Sequence, residues 1–289
     1  MSTTTEPVSV ARARGDENFP VASRLLRAEL RPVVLAFYRV VREADDVVDE
    51  PGMEAAAKIA RLDAIAGALA GDGPATEDPT LRAAAELRAM CLRRAVSIEH
   101  ALHLLQAFRA DATNRPCRSW SDLLAYCLFS AAPVGRFLLE LHGESRPART
   151  PADALCIALQ ILNHLQDARA DHARLQRYYL PLDWLTEAGL GVEALDEARA
   201  SPALRAVFDR VLDRVDRLLD KAATLPGRLA DAGLRREAGA IHAIARALAH
   251  RLRRDDPLAR RVRLGGGGTR IALEAVSYTH LTLPTKLEV

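Results

Sequence analysis

The chain has 289 residues, 49% of them hydrophobic and 27% charged, which excludes disordered and collagen-like classes and allows a core that needs no disulfide or structural metal. Forty Lys and Arg against 38 Asp and Glu leave a formal charge of +2, and no Lys/Arg run with interleaved aromatics marks a nucleic-acid footprint. Only 4% is aromatic, while Ala, Leu and Arg dominate, which is the composition of an all-α protein.

A first helix is expected from about Val21 to Leu30. Pro32 opens a second, carrying VVLAFYRVVREADDVVDE and ending before Pro51. A third covers Met53 to Ala70, followed by a Gly/Pro/Asp-rich loop (71–79). Thr80 starts a fourth, running to about Val96; Ser97 caps a fifth, which DATNRPCRS (111–119) breaks. Ser119 and Asp122 stand at capping-box spacing and open a long apolar helix through Leu141, with a kink at Pro133. Thr150, Pro151 and Asp153 form a start signal for a helix reaching about Leu175. RYYLPLDWL (177–185) reads as an irregular connector, and helices at about Pro202–Leu225 and Leu229–Arg254 close a single domain.

Residues 1–14 read as disordered, 15–264 as one domain, and 265–289 as a flexible tail whose AVSYTHLTLPTK (275–286) resembles a translated sequencing adapter and stands outside fold reasoning. The N-terminus lacks the apolar stretch of a signal peptide. The longest charge-free apolar stretches, 123–135 and 154–166, fall short of the roughly 20 residues of a membrane span. The expected location is therefore cytoplasmic. Cys91, Cys127 and Cys156 sit in apolar helical patterns as reduced core residues, and Cys117 has no metal-ligand spacing.

Two acidic clusters carry the chemistry. Asp45 and Asp49 are four residues apart, so they share one helix face, about 6 Å apart along the axis, with Arg42 one turn earlier. Gln160, Asn163, Asp167 and Asp171 form a polar line cut into the apolar helix ALCIALQILNHL, which a solvated face does not explain. Facing carboxylate pairs suit Mg²⁺, a hard ion that takes oxygen ligands and bridges to phosphate. The absence of Glu-x-x-His argues against a di-iron bundle. His100, His103 and His164 read as core or surface residues, Trp120 and Trp184 as packing. HRLRRDDPLARRVR (250–263) reads as a solvated helix end, with an anionic membrane surface as the alternative.

FYRVVREADDVVDE (37–50), YCLFSAAPVG (126–135), LQILNHLQDARAD (159–171) and RYYLP (177–181) resemble the squalene/phytoene synthase family, in order and rough spacing, over about residues 15 to 264. ENFPVAS (17–23) and SAAPVGR (130–136) look most like the bacterial hydroxysqualene synthase branch of hopanoid biosynthesis. The resemblance implies an all-α prenyltransferase-like (isoprenoid synthase) bundle around a central apolar cavity. By position it implies Asp45 and Asp49 as the first Mg²⁺ motif, Asp167 and Asp171 as the second, and Arg42 and Arg177 on the diphosphate. Asn18 falls near the diphosphate, Gln160 and Asn163 complete the polar shell, and Tyr126 and Tyr179 line the reacting end. His172 stands where some relatives carry a further acid, which puts the second metal site in question. The implied substrate is a prenyl diphosphate, foremost presqualene diphosphate, with peripheral membrane contact and coupling to the neighbouring enzymes of the pathway. Conversion of presqualene diphosphate and water to hydroxysqualene is the leading expectation. Head-to-head condensation of two prenyl diphosphates is the alternative, and a catalytically silent helical scaffold the alternative of another class.

Overall fold

The computed structural model describes residues 25–72 and 77–264. Asn18, residues 21–24 of the first expected helix and the 265–289 tail lie outside the described residues; residues 25–30 form turns rather than helix. Ten α-helices follow: α1 Arg31–Asp49, α2 Ala55–Ala70, α3 Pro79–Arg93, α4 Glu99–Ala112, α5 Trp120–Ser130, α6 Ala132–Leu141, α7 Arg149–Leu175, α8 Leu182–Glu187, α9 Pro202–Ala222 and α10 Ala232–Arg254. No strand occurs among the described residues.

Local chemistry sets the boundaries. Pro32 lies in the first turn of α1, and Val33, Phe37, Val40, Ala44 and Val48 make its buried stripe at three- and four-residue spacing. The chain leaves α1 at Glu50, just before Pro51. Gly71 ends α2 in the left-handed region (φ 90°), where its N–H and that of Asp72 both reach the Gly67 carbonyl. Asp78, rather than Thr80, starts α3: its carboxylate accepts from the N–H groups of Thr80 and Leu81, and Pro79 fills the first helical position. Ser119 caps α5 by accepting from the Asp122 N–H at 3.2 Å.

The expected single helix through Leu141 is two helices. Ala131 breaks it (φ −133°, ψ −47°), because Pro133 supplies no N–H and its ring collides with the carbonyl four residues back. By length and composition alone Trp120–Leu141 is long and apolar enough to cross a membrane, with a mean hydropathy of 1.4; 44% of that stretch is buried in the bundle. Nor does Thr150 cap α7. A 3-10 turn (Arg146–Ala148) runs straight into the helix at Arg149 and leaves Thr150 exposed in its first turn.

Helix α7, at 27 residues, packs against α5, α6, α9 and α10, while α1 packs against α2, α3 and α4. Helices α5 and α6 join the two halves, and the rings of Phe37 and Phe137 stack at 4.0 Å between α1 and α6. At Gly135 a Cβ would lie 2.8 Å from the Cys156 sulfur, so a glycine is what lets α6 sit this close to α7. All four cysteines are free thiols, Cys156 only partly buried. Trp120 and Trp184 stack at 5.6 Å, and the Arg210 guanidinium lies 4.0 Å over the Trp184 ring.

Candidate active site

The acidic ends of α1 and α7 are linked by a side chain from beyond α7. Gln176 ends α7 in the left-handed region (φ 53°), and its N–H bonds the His172 carbonyl while the Arg177 N–H bonds that of Asp171. This reversal turns Arg177 back over the helix end. Its Nη1 donates to Asp49 Oδ1 at 2.7 Å and its Nη2 to the Val48 carbonyl at 2.9 Å, so one buried guanidinium holds the end of α1. Arg177 Nε is buried without a partner among the described residues. Arg174 adds a second, exposed contact to Asp49 at 3.4 Å.

The other expected carboxylates gather there too. Asp45 takes Arg42 at 3.4 Å, while Arg42 also pairs with Asp46 at 3.0 Å. Burial, and then the charge of Asp49, push the Asp45 carboxyl up to about 7. Asp171 is likewise pushed up to about 7 by burial and by Asp167 and Asp49. The dependence of both Asp45 and Asp171 on Asp49 places the two motifs within reach of each other's field. Asp167 is ion-paired with Arg261, whose Nη2 donates to Oδ2 at 2.9 Å. Gln160 and Asn163 are half-buried, two turns and one turn before Asp167 on α7.

His172, the departure noted in the sequence, faces elsewhere. It is buried, and its Nδ1 lies 2.7 Å from Asp196 Oδ1 in the 3-10 turn Val192–Asp196. It fastens the connector to α7.

Beneath the acids lies an aromatic layer. Tyr126 and Tyr179, with ring centroids 5.3 Å apart, both donate to Asp111, at 2.8 and 3.2 Å. Burial raises the Asp111 carboxyl to about 6 against the opposing pull of the two phenols and Arg177. Burial, with the Asp111 charge next, lifts both phenols well above their ordinary range. His164 stacks on Tyr179 at 3.6 Å. A small cavity of about 10 Å³ is lined by His164, Asp171, Arg177 and Tyr179 together with apolar Leu123 and Ile161.

The sequence reading missed Asp111, Arg174 and Arg261. Asp111 was assigned to the loop that ends α4, although it continues that helix's buried line of Leu104 and Phe108 at three- and four-residue spacing. A carboxylate on an apolar line was the available signal. Of the arginines of 250–263, Arg253 pairs with Asp213 and Asp216, Arg251 with Asp255 and Arg261 with Asp167.

Carboxylate pairs answered by arginines suit a ligand that is itself multiply anionic and arrives with cations; on an all-helical frame with an aromatic, apolar interior, this defines an isoprenoid synthase. The chain belongs to the squalene/phytoene synthase family, whose profile matches residues 12–267. It is 40% identical over 249 residues to the hydroxysqualene synthase of Rhodopseudomonas palustris, spanning 86% of this chain and 84% of that protein. To the hydroxysqualene synthase of Sinorhizobium fredii it is 37% identical with the same coverage. Among solved structures it resembles squalene synthase HpnC from Alicyclobacillus acidocaldarius, with a TM-score of 0.70 and 30% identity over 83% of this chain and 90% of that one.

Proposed function

We propose that this protein converts presqualene diphosphate and water to hydroxysqualene and diphosphate with bound Mg²⁺. The observation that carries the reading is Arg177: buried, bonded to the first acidic motif, placed by the end of the second, and keeping a buried Nε without a partner among the described residues. A diphosphate oxygen supplies what that N–H lacks. The identity to two hydroxysqualene synthases over most of both chains supports this reaction among those of the family.

The donor set fits a divalent ion. Among the described residues no three Asp, Glu, His or Cys side chains converge into a ready cage. Mg²⁺ does not require one, since it binds through one or two carboxylates together with substrate phosphate and water. Asp45 and Asp171, whose negative charges burial and their neighbours resist, are the carboxylates most in need of a cation. Asp45 and Asp49 would hold it on α1, and Asp167 and Asp171 on α7. Bound there, Mg²⁺ neutralises charge building on the leaving diphosphate.

The chain's own side chains do the rest. Arg177 and Arg42 orient the diphosphate, with Asn163 and Gln160 on the α7 side. Tyr126 and Tyr179 present π faces to the cation left when the C–O bond breaks, and ionised Asp111 beneath their hydroxyls deepens the negative potential it meets. Leu123, Ile161 and Leu165 line the small cavity beside these rings with groups that cannot attack the cation.

The test is incubation of the full chain with Mg²⁺, presqualene diphosphate and ¹⁸O-labelled water, without nicotinamide, followed by mass spectrometry of extracted lipid. Labelled hydroxysqualene is expected. No alcohol, but presqualene diphosphate or a C40 hydrocarbon from simple prenyl diphosphates, assigns the condensing reaction instead. Failure of all substrates would leave the scaffold reading.

A further inference from the structure

Hydroxylation needs a water held beside a cation and a group that takes the water's proton. The aspartates are committed to cations and arginines, and the two phenols donate their hydroxyl protons to Asp111. Of the other polar side chains on the cavity, His164 and Tyr178, only the imidazole offers a basic nitrogen lone pair. His164 follows Asn163 on α7 and precedes Asp171 by seven residues, two turns along the same face. It lines one small cavity with Asp171 and Arg177, the residues assigned to the diphosphate end, and with Tyr179.

Four features separate it from a packing histidine. Its ring is fixed face to face on Tyr179, 3.6 Å between centroids and 16° between planes, with Tyr126 at 5.8 Å on the same aromatic layer. Part of the side chain is accessible, yet Nε2 is sealed and has no hydrogen-bond partner among the described residues, an arrangement that costs free energy a Phe or Leu would not incur. Burial holds its pKa down, at about 3, so the ring stays neutral and adds no positive charge next to a forming cation. The cavity beside it, about 10 Å³, is of the size that admits about one water.

We propose that His164 is the water-binding catalytic residue of this enzyme: an imidazole nitrogen accepts a hydrogen bond from the single water admitted beside it and takes its proton as the oxygen bonds to the cation. The assignment rests on the hydrolytic reading above. The substrate C–O bond breaks and its electron pair leaves with the diphosphate. A lone pair of the water oxygen forms the new C–O bond, one water proton passes to the imidazole, and the alcohol is left neutral. A protonated alcohol is a far stronger acid than even this depressed imidazolium, so the transfer runs downhill. The imidazolium, disfavoured by burial, returns the proton to a diphosphate oxygen. The sum is presqualene diphosphate plus water giving hydroxysqualene plus diphosphate.

The experiment compares wild type with H164F, H164L and H164Q in full-length protein, reading diphosphate release and lipid products separately and checking the fold by circular dichroism. H164F keeps the stacked ring without a nitrogen; it is expected to release diphosphate within about threefold of wild type while the alcohol share of product falls at least tenfold in favour of hydrocarbons formed by proton loss. H164L is expected to show the same split and decides the matter if H164F does not fold. H164Q, which can still hold a water, is expected to recover part of the alcohol. A wild-type alcohol share in the folded H164F or H164L overturns the assignment, as does a parallel loss of diphosphate release and alcohol. A wild type that makes no alcohol overturns the hydrolytic reading, and the role of His164 with it.

Discussion

Arg177 donates to Asp49 at 2.7 Å across 128 residues of sequence, and it does so from the residue just past the left-handed end of α7. The pair fixes how far the acidic end of α1 stands from that of α7. Replacing Arg177 with Met takes the guanidinium from the Val48 carbonyl and leaves Asp49 with the exposed contact to Arg174. R177M is expected to cost about 3 kcal/mol of stability, within the range for breaking a largely buried pair. Arg177→Lys keeps the charge but cannot span both acceptors. It is expected to retain most of the stability while kcat/KM falls about a hundredfold, roughly 2.7 kcal/mol of transition-state binding. Equal kinetics for R177K and wild type would remove Arg177 from the diphosphate.

The raised carboxyls of Asp45 and Asp171 give the metal-free protein a distinct pH dependence. Each sits near 7 in the fold against 3.8 in the unfolded chain. Between about pH 4 and 7 the folded state therefore binds more protons, and the stability contributed by these groups falls as pH rises, levelling above 7. In EDTA at pH 8, Asp171→Asn is expected to melt about 2–4 °C above wild type, the equivalent of about 1 kcal/mol once solvent screening of a half-exposed site is allowed for. At pH 4.5 the gap should close. With excess Mg²⁺ and inorganic diphosphate the order should invert, because only the wild type gains the full linkage from the ion. A gap that is the same at both pH values would show that the two carboxyls are not held up in the fold.

The fold was legible because its signals are local. The Val33–Phe37–Val40–Ala44–Val48 stripe, Pro32 and the Ser119 cap act within one or two turns, and the elements they predict are present. The boundaries that failed depend on competition between neighbours. Asp78 outcompetes Thr80 because its carboxylate reaches two N–H groups, and at Thr150 a preceding 3-10 turn removes the need for a cap. At the site, the Asp45/Asp49 and Asp167/Asp171 pairs were visible as spacings on single helices. Arg261 and Asp111 were not, because each acts across a long loop of sequence: Arg261 meets Asp167 94 residues away, and Tyr179 meets Asp111 68 residues away.

Asp111 lies under the phenols of Tyr126 and Tyr179, which we propose face the cation, and its ionisation near 6 should be visible in turnover. Below that value the carboxyl is neutral and no longer reinforces the negative faces of Tyr126 and Tyr179. The kcat profile is expected to carry an acid limb near pH 6, and Asp111→Asn should lower kcat about tenfold at pH 7.5 and abolish the limb. The Asn side chain keeps the volume, so the melting temperature should move by only a few degrees. A surviving limb in D111N would assign it to another group.

Residues 255–264 form a strap against α7. Gln166 Nε2 bonds the Val262 carbonyl, Arg169 bonds that of Leu258, and Arg261 pairs with Asp167, so the strap is laid along α7 directly over the second acidic motif. A metal ion at Asp167 competes with Arg261 for the same carboxylate, since the guanidinium neutralises the charge that attracts the ion. Arg261→Gln is therefore expected to tighten binding of Mg²⁺ alone about threefold in calorimetry while the strap loses protection in hydrogen exchange. Arg169→Gln, which loosens the same strap without touching Asp167, should raise exchange there and leave Mg²⁺ affinity unchanged. If both variants shift the affinity equally, the effect travels through the strap's order and not through the Asp167 carboxylate.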